Sequence, residues 1–337
     1  MHSANNVKGF WAVLPAIVGN FLVAVIKLIA YIISGSSVMF SEAIHSFADT
    51  TNQSLLMVGL KRSTKQSNDD YVYGYGRERF FWALISACGI FFLGAGVTIY
   101  HGISVLISGS EVIHYGSINI WVLFVSFVIE GFTLILAFRE LKIISPELSW
   151  RKRLKYGDPS TLAVILEDGI AVLGVVIAIV MIWLTKITGN IFWDALGSVI
   201  IGVLLGFVAI VLILKNRSYL IGRAMPSHLR KEIVKMMEVD PMIEKVIDFK
   251  STTLDVGIYR IKCEVEFNGN YLVKEIFNKD ELREEYEEIR NDFEEFKKFY
   301  VDYADRIPRL VGRKIDEIET RIKSKYQGVK YIDIEIN

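Results

Sequence analysis

Glu42, His45, Asp49 and Asn52 stand three, four and three positions apart in the run S-E-A-I-H-S-F-A-D-T-T-N-Q that begins at Ser41. Residues three or four apart share one face of an α-helix, so this spacing lines all four side chains along a single stripe. Imidazole, carboxylate and amide oxygen are ligands for a divalent cation. The surrounding residues are apolar enough to cross a bilayer, where an ionisable group costs about 3 kcal/mol by insertion scales and generally marks an ion or proton path. The plainer alternative is a cluster of interhelical hydrogen bonds that only joins helices.

A second set follows in T-L-A-V-I-L-E-D-G-I-A-V-L-G, where Glu167 and Asp168 lie at mid-depth of an apolar stretch with no Lys or Arg within helical reach along the chain. Two such carboxylates need a cation or protons to compensate them. Adjacent residues on a helix point about 100° apart, so only one can share a given site squarely. Asp168 is the favoured ligand, with Glu167 as a supporting group, proton carrier or alternate ligand. One imidazole with carboxylates suits Zn²⁺ foremost, and a set poor in thiolate leaves Mn²⁺, Co²⁺ and Fe²⁺ open. Ligation needs neutral His and ionised Asp, so metal entry displaces protons.

Other polar residues in the apolar runs read as structural. Lys27 is expected to snorkel or to be paired, and Asn20 to make an interhelical hydrogen bond. Glu130 is either a proton acceptor or a member of an ion pair near Arg139. His101 and Asp194 lie toward the outer face. Asp194 falls in the first turn of a helix, where a carboxylate favours the helix dipole.

The elements that must hold these groups are legible from composition. Of 337 residues 52% are hydrophobic, yet 23% are charged, so the charges must be segregated. Residues 216–337 hold 25 of the 38 acidic and 23 of the 38 basic side chains. That asymmetry predicts a membrane domain over 1–215 and a charged domain over 216–337. Stretches near 9–34, 37–60, 79–107, 117–138, 159–185 and 190–215 are each long enough to span, giving a polytopic α-helical membrane domain of six transmembrane helices. Lys61, Arg62, Lys65, Arg77 and Arg79 follow the second span, and Arg139, Lys142, Arg151, Lys152, Arg153 and Lys155 follow the fourth. By the positive-inside rule both basic loops and both termini are cytoplasmic, in a multi-pass protein of the plasma or cell inner membrane.

In the second domain a helix near 227–238, strands near 245–254 and 257–268, a helix near 309–326 behind Pro308 and a strand at 331–336 predict a small α+β sandwich. Between them lies a charged insertion near 274–306. Its stretch 278–306 carries 11 acidic residues, but Leu282, Tyr286, Ile289, Phe293 and Phe296 recur at helical spacing. It reads as an amphipathic helix with its acids outward. Cys88 and Cys263 cannot build a disulfide framework or a Cys-x-x-Cys site, and no signal peptide is evident at the N-terminus. Zero formal net charge and the lack of a basic patch interleaved with aromatics exclude nucleic acid as an expected partner.

The H-S-F-A-D run at 45–49, Y-G-Y-G-R-E-R at 73–79, D-P-S-T-L-A-V-I-L-E-D-G at 158–169 and I-T-G-N-I-F-W-D-A-L-G at 187–197 resemble the cation diffusion facilitator family. The resemblance covers nearly the whole chain and is strongest to the branch related to zinc transporter nine. It implies a proton-coupled exporter of divalent metal, a homodimer in the lipid bilayer, with a cytoplasmic ferredoxin-like domain that helps dimerise. The family's site pairs two ligands four apart in the second span with two in the fifth. By motif these are His45, Asp49 and Asp168, while the position four before Asp168 is Val164, which cannot coordinate. Glu167, Asn52, Glu42 or water is then expected to complete the shell. Tyr71 and Tyr75 stand where better-known members carry loop histidines, and His228 is the single histidine of the second domain, so no histidine cluster is expected there. An intramembrane metalloenzyme lacks the H-E-x-x-H pattern and a nominee for general base. A non-transporting metal sensor or scaffold is the remaining rival.

Overall fold

A computed structural model describes residues 2–109, 117–144, 159–276 and 279–337. The basic loop residues Arg151, Lys152, Arg153 and Lys155 lie outside the described residues. Contacts divide the chain into two units, Met1–Ile221 and Gly222–Asn337. The observed boundary falls after Ile221, six residues beyond the expected one, because the last helix of the first unit continues to that point.

The first unit contains α1 (His2–Ser34), α2 (Ser37–Ser63), α3 (Glu78–Gly89), a π-helical segment (Ile90–Gly96), α4 (Val97–Ser108), α5 (Ser117–Ile144), α6 (Pro159–Thr188) and α7 (Phe192–Ile221). The helix from Glu78 to Ser108 is one span in which the π segment interrupts the α-helical ladder, a feature that often accompanies functional sites. Among the described residues five helices are long and apolar enough to cross a membrane. The sixth, α2, is 27 residues long, but its polar stripe makes it too hydrophilic to stand in lipid alone.

Its neighbours make α2 tenable. It packs against α1, α3, α6 and α7, and Ser37, Ser41, Glu42, His45, Ser46, Thr50 and Asn52 are buried there. The outer helices turn Ile32, Phe92, Trp121, Phe132, Trp183 and Phe207 outward, an apolar surface suited to lipid. Gly35, at φ +68°, adopts the left-handed conformation that lets the chain reverse between α1 and α2. Ser36 then caps α2 through its side chain, and Lys61 and Arg62 occupy the last turn, where cations favour the helix dipole.

The start of α2 is also gripped from α7. Ser36 Oγ donates to Asp194 Oδ1 at 2.6 Å and the Ser37 backbone N–H to Asp194 Oδ2 at 2.5 Å, with all three residues fully buried. Asp194 does lie in the first turn of its own helix, but its carboxylate serves the N-terminus of another. Asp194→Ala leaves a buried N–H and hydroxyl without their acceptor, a loss of about 1–3 kcal/mol. We expect a lower melting temperature in detergent, with Asp194→Asn recovering part of it.

The second unit runs α8 (Ser227–Glu238), β1 (Ile243–Asp255), β2 (Ile258–Phe267), α9 (Gly269–Ile276), α10 (Lys279–Ile289), α11 (Phe293–Lys325) and β3 (Val329–Ile336). Its sheet has the order β1-β2-β3, with β1 and β2 antiparallel and β2 and β3 parallel. The parallel pair follows from the helical crossover through α11. Ile233 and Met237 of α8, Ile261, Cys263 and Val265 of β2, Ile318 and Ile322 of α11, and Ile332 and Ile334 of β3 form the core. The period-two alternation read in β2 is the inward face of this sheet.

Two features differ from the sequence reading. The helix expected to begin near 309, behind Pro308, starts sixteen residues earlier at Phe293 and runs through the proline. An interior proline costs about 3 kcal/mol. Capping by Asp292, the Asp302–Arg306 and Asp305–Arg309 pairs, and docking of Ile307, Leu310 and Val311 beside Met242 and Leu272 offset it. The acidic insertion is likewise broken at Arg290–Asp292 into α10 and the start of α11. Leu282, Tyr286, Ile289, Phe293 and Phe296 of the expected stripe, joined by Phe299, line a cleft of about 790 Å³ there.

Asp240 ties α11 to the turn before β1. It receives Arg321 Nη2 at 2.8 Å, lies 3.5 Å from Lys314 Nζ and is 4% exposed. Burial alone would raise its carboxyl, but the Arg321 guanidinium, the Met242 N–H and Lys314 outweigh it and hold it below the usual carboxylate range. A carboxyl depressed in the folded state stabilises above its unfolded value, about 4, and that contribution is lost as pH falls through the folded value. Asp240→Asn is expected to destabilise this unit by about 1–3 kcal/mol at neutral pH and to flatten its acid limb below about pH 4. Hydrogen exchange of β2 in the full chain measures both.

Candidate metal site

The helices around α2 engage different parts of its stripe. His45 and Asp49 remain together: His45 Nε2 lies 3.5 Å from Asp49 Oδ2, with side-chain exposures of 5% and 24%. Neither ring nitrogen of His45 has a hydrogen-bond partner among the described residues. Two ligands of one tetrahedral Zn²⁺, with bonds near 2.0–2.1 Å, stand roughly 3.3 Å apart. The i, i+4 spacing therefore already sets two donor atoms at close to one edge of a zinc tetrahedron.

Asn52, one turn further on, reaches α6. Its Nδ2 donates to Glu167 Oε2 at 2.7 Å, while Ser86 of α3 donates its hydroxyl to Asn52 Oδ1 at 2.6 Å. Glu167 and Asn52 border a cavity of about 290 Å³ that also touches Val164, Arg79, Lys215 and Asn216. The sequence shows no cation within helical reach of Glu167 along α6. The fold supplies Lys215 from α7, which interacts with it electrostatically. Asp168 interacts with Thr133 of α5, and its charge feels Asp49, Glu130 and His45.

Glu42 is engaged elsewhere. Lys27 Nζ lies 2.8 Å from Glu42 Oε2 and 2.9 Å from Glu130 Oε1, with Lys27 and Glu42 wholly buried. Lys27 is thus paired, as one of its two readings held, and does not snorkel. Glu130 is in an ion pair, but its partner is Lys27 across the bundle instead of the neighbourhood of Arg139, since that region lies more than two helical turns along α5. Asn52, Glu167, Glu42 and Asp168 therefore sit around the His45–Asp49 pair without closing on it. Among the described residues no three His, Cys, Asp or Glu side chains are gathered tightly enough to hold a metal ion. Ser86 and Thr133 had no signal in the sequence, being common hydroxyls on apolar helices.

A bundle of spanning helices around a buried His–carboxylate pair, faced by two further carboxylates, defines a membrane protein of the cation-handling class. The chain belongs to the cation efflux family, also called cation diffusion facilitators: the profile of the cation efflux transmembrane domain matches residues 13–221. It is 37% identical over 335 residues to the human protein named proton-coupled zinc antiporter SLC30A9, mitochondrial. It is 35% identical over 337 residues to Metal tolerance protein C4 of Arabidopsis thaliana. The alignments take in 96% of this chain and 58% and 72% of those proteins. The chain thus spans little more than half the length of the human relative. An uncharacterized transporter of Methanocaldococcus jannaschii is 26% identical over 269 residues, which is 77% of this chain and 87% of that protein. The family is one of transporters, not of enzymes.

Proposed function

We propose that this chain is a secondary active transporter that exports divalent metal cations, Zn²⁺ foremost, from the cytoplasm in exchange for protons. The observation that carries this reading is the His45–Asp49 pair, two donor atoms 3.5 Å apart on a helix whose polar stripe lies inside the bundle. Asp168 is the third ligand, and the place of Val164 is taken by Glu167, or by Asn52 through its side-chain oxygen. Glu42 is the least suited of the six candidates, because Lys27 already holds it. Metal entry into this set displaces the protons its imidazole and carboxylates carry, which provides the coupling. The names of the human and plant relatives, one a proton-coupled zinc antiporter and the other a metal tolerance protein, support the same class of substrate. Mn²⁺, Co²⁺ and Fe²⁺ are alternative cargoes of the same site.

The chain works as a homodimer with both termini and the second unit on the cytoplasmic side, the side of the basic loop of Lys61, Arg62 and Lys65; the membrane is a proton-motive one, the plasma or cell inner membrane. Purified protein in liposomes with an imposed pH gradient tests the reading. Metal uptake should follow the gradient, collapse with a protonophore and favour Zn²⁺ over Mn²⁺. Metal binding without gradient-driven flux would point instead to a sensor.

A further inference from the structure

We propose that Lys27 is a tethered cation: its ammonium fills a second, all-carboxylate cation site between Glu42 and Glu130 and so keeps hard divalent ions out of the transport domain. The site lies apart from the His45–Asp49 pair, and the inference does not depend on which metal is carried.

The geometry is that of an ion site occupied from within. The Lys27 nitrogen is held at 2.8 Å by Glu42 Oε2 from α2 and at 2.9 Å by Glu130 Oε1 from α5. The second oxygens, Glu42 Oε1 and Glu130 Oε2, are buried and have no hydrogen-bond partner among the described residues. Room for the first is built in: a Cβ on Gly174 of α6 would lie 2.9 Å from Glu42 Oε1, closer than side chains tolerate. Two carboxylates thus face one ammonium in a water-poor interior. The other charged or titratable groups that reach this triad are His45 and Asp49, on α2, and Asp168, on α6, through Glu130. One cation for two anions suffices to hold the helices together but leaves an excess of negative charge, the arrangement a divalent ion would neutralise.

The donor set also specifies the ion. Oxygen-only ligation suits Ca²⁺ and Mn²⁺ better than Zn²⁺. A cradle shaped for an ammonium is nearer to Ca²⁺–oxygen bonds, about 2.3–2.6 Å, than to the tight octahedron of Mg²⁺ near 2.0–2.1 Å. Without Lys27 the chain would present an oxygen site beside a nitrogen–oxygen one, and hard cations would compete for the bundle. With the amine anchored on α1, that site is closed and the imidazole site alone takes cargo.

Mn²⁺ and Ca²⁺ binding to the full chain in detergent tests this, with fold judged by monodispersity and melting. By paramagnetic resonance Lys27→Arg should bind no more Mn²⁺ than wild type does. Lys27→Met should gain one Mn²⁺ per chain, displaced by Ca²⁺, and Lys27→Met/Glu42→Gln should lose that affinity by at least tenfold. A folded Lys27→Met without the extra ion overturns the proposal, as does an extra ion that survives in Lys27→Met/Glu42→Gln/Glu130→Gln. Should Lys27→Met fail to fold, millimolar Ca²⁺ or Mn²⁺ during solubilisation should restore it. Failure of rescue, with the triple variant folded, overturns it as well.

Discussion

Asp49→Ala should abolish pH-gradient-driven Zn²⁺ uptake into liposomes, leaving only the leak of protein-free vesicles. Asp49 is the carboxylate of the pair that sets two donors 3.5 Å apart, and it is the electrostatic neighbour of both Glu167 and Asp168. Its removal leaves His45 as the only strong donor on α2 facing them. Groups that merely orient a metal ligand are worth about 10–100-fold in affinity, so a ligand itself is worth more than about 100-fold. Stability should change little. Asp49 is the least buried member of the stripe, and the Lys27–Glu42–Glu130 and Asn52–Glu167–Ser86 bonds that join α2 to its neighbours remain. A loss of flux with unchanged melting temperature separates ligation from folding; full flux in the variant would remove Asp49 from the site.

Val164→His should tighten Zn²⁺ binding by tenfold or more, which is about 1.4 kcal/mol per tenfold, and slow transport at saturating metal. Val164 is one turn before Asp168 and shares its cavity wall with Glu167 and Asn52. An imidazole there repeats on α6 the i, i+4 His–Asp arrangement of His45 and Asp49 and adds the nitrogen donor that zinc accepts readily. Discrimination against Mn²⁺ should rise with it, since an oxygen-rich shell is what Mn²⁺ prefers. Calorimetry with a competing chelator reads the affinity and vesicle flux the release. Unaltered affinity and selectivity would mean that position 164 does not face the metal, and the vacant corner of the site would have to be sought elsewhere.

Much of this molecule was legible along the chain because the information is local. The α2 stripe follows from helical periodicity, the spans from apolar length and the β2 strand from period-two alternation. Pro308 misled for the complementary reason: a proline disfavours a helix locally, and only docking of Ile307 and Val311 on Met242 and Leu272 and the ion pairs around it reverse that preference. The π-helical segment at Ile90–Gly96 had no local mark either, since glycine and apolar residues suit an α-helix in lipid equally well.

The site divides along the same line. Spacing determined that Glu42, His45, Asp49 and Asn52 share a face and that Glu167 and Asp168 point about 100° apart, and residue type alone bars Val164 from ligation. The tertiary structure alone decided partners. Lys27, 15 and 103 positions away from its two carboxylates, pairs with Glu42 and Glu130, and Asn52 goes to Glu167 and Ser86. Helical spacing constrains one face of one helix. Which face it meets depends on packing among several helices, and in a low-dielectric interior each buried charge must find its partner across those interfaces, at any distance along the chain.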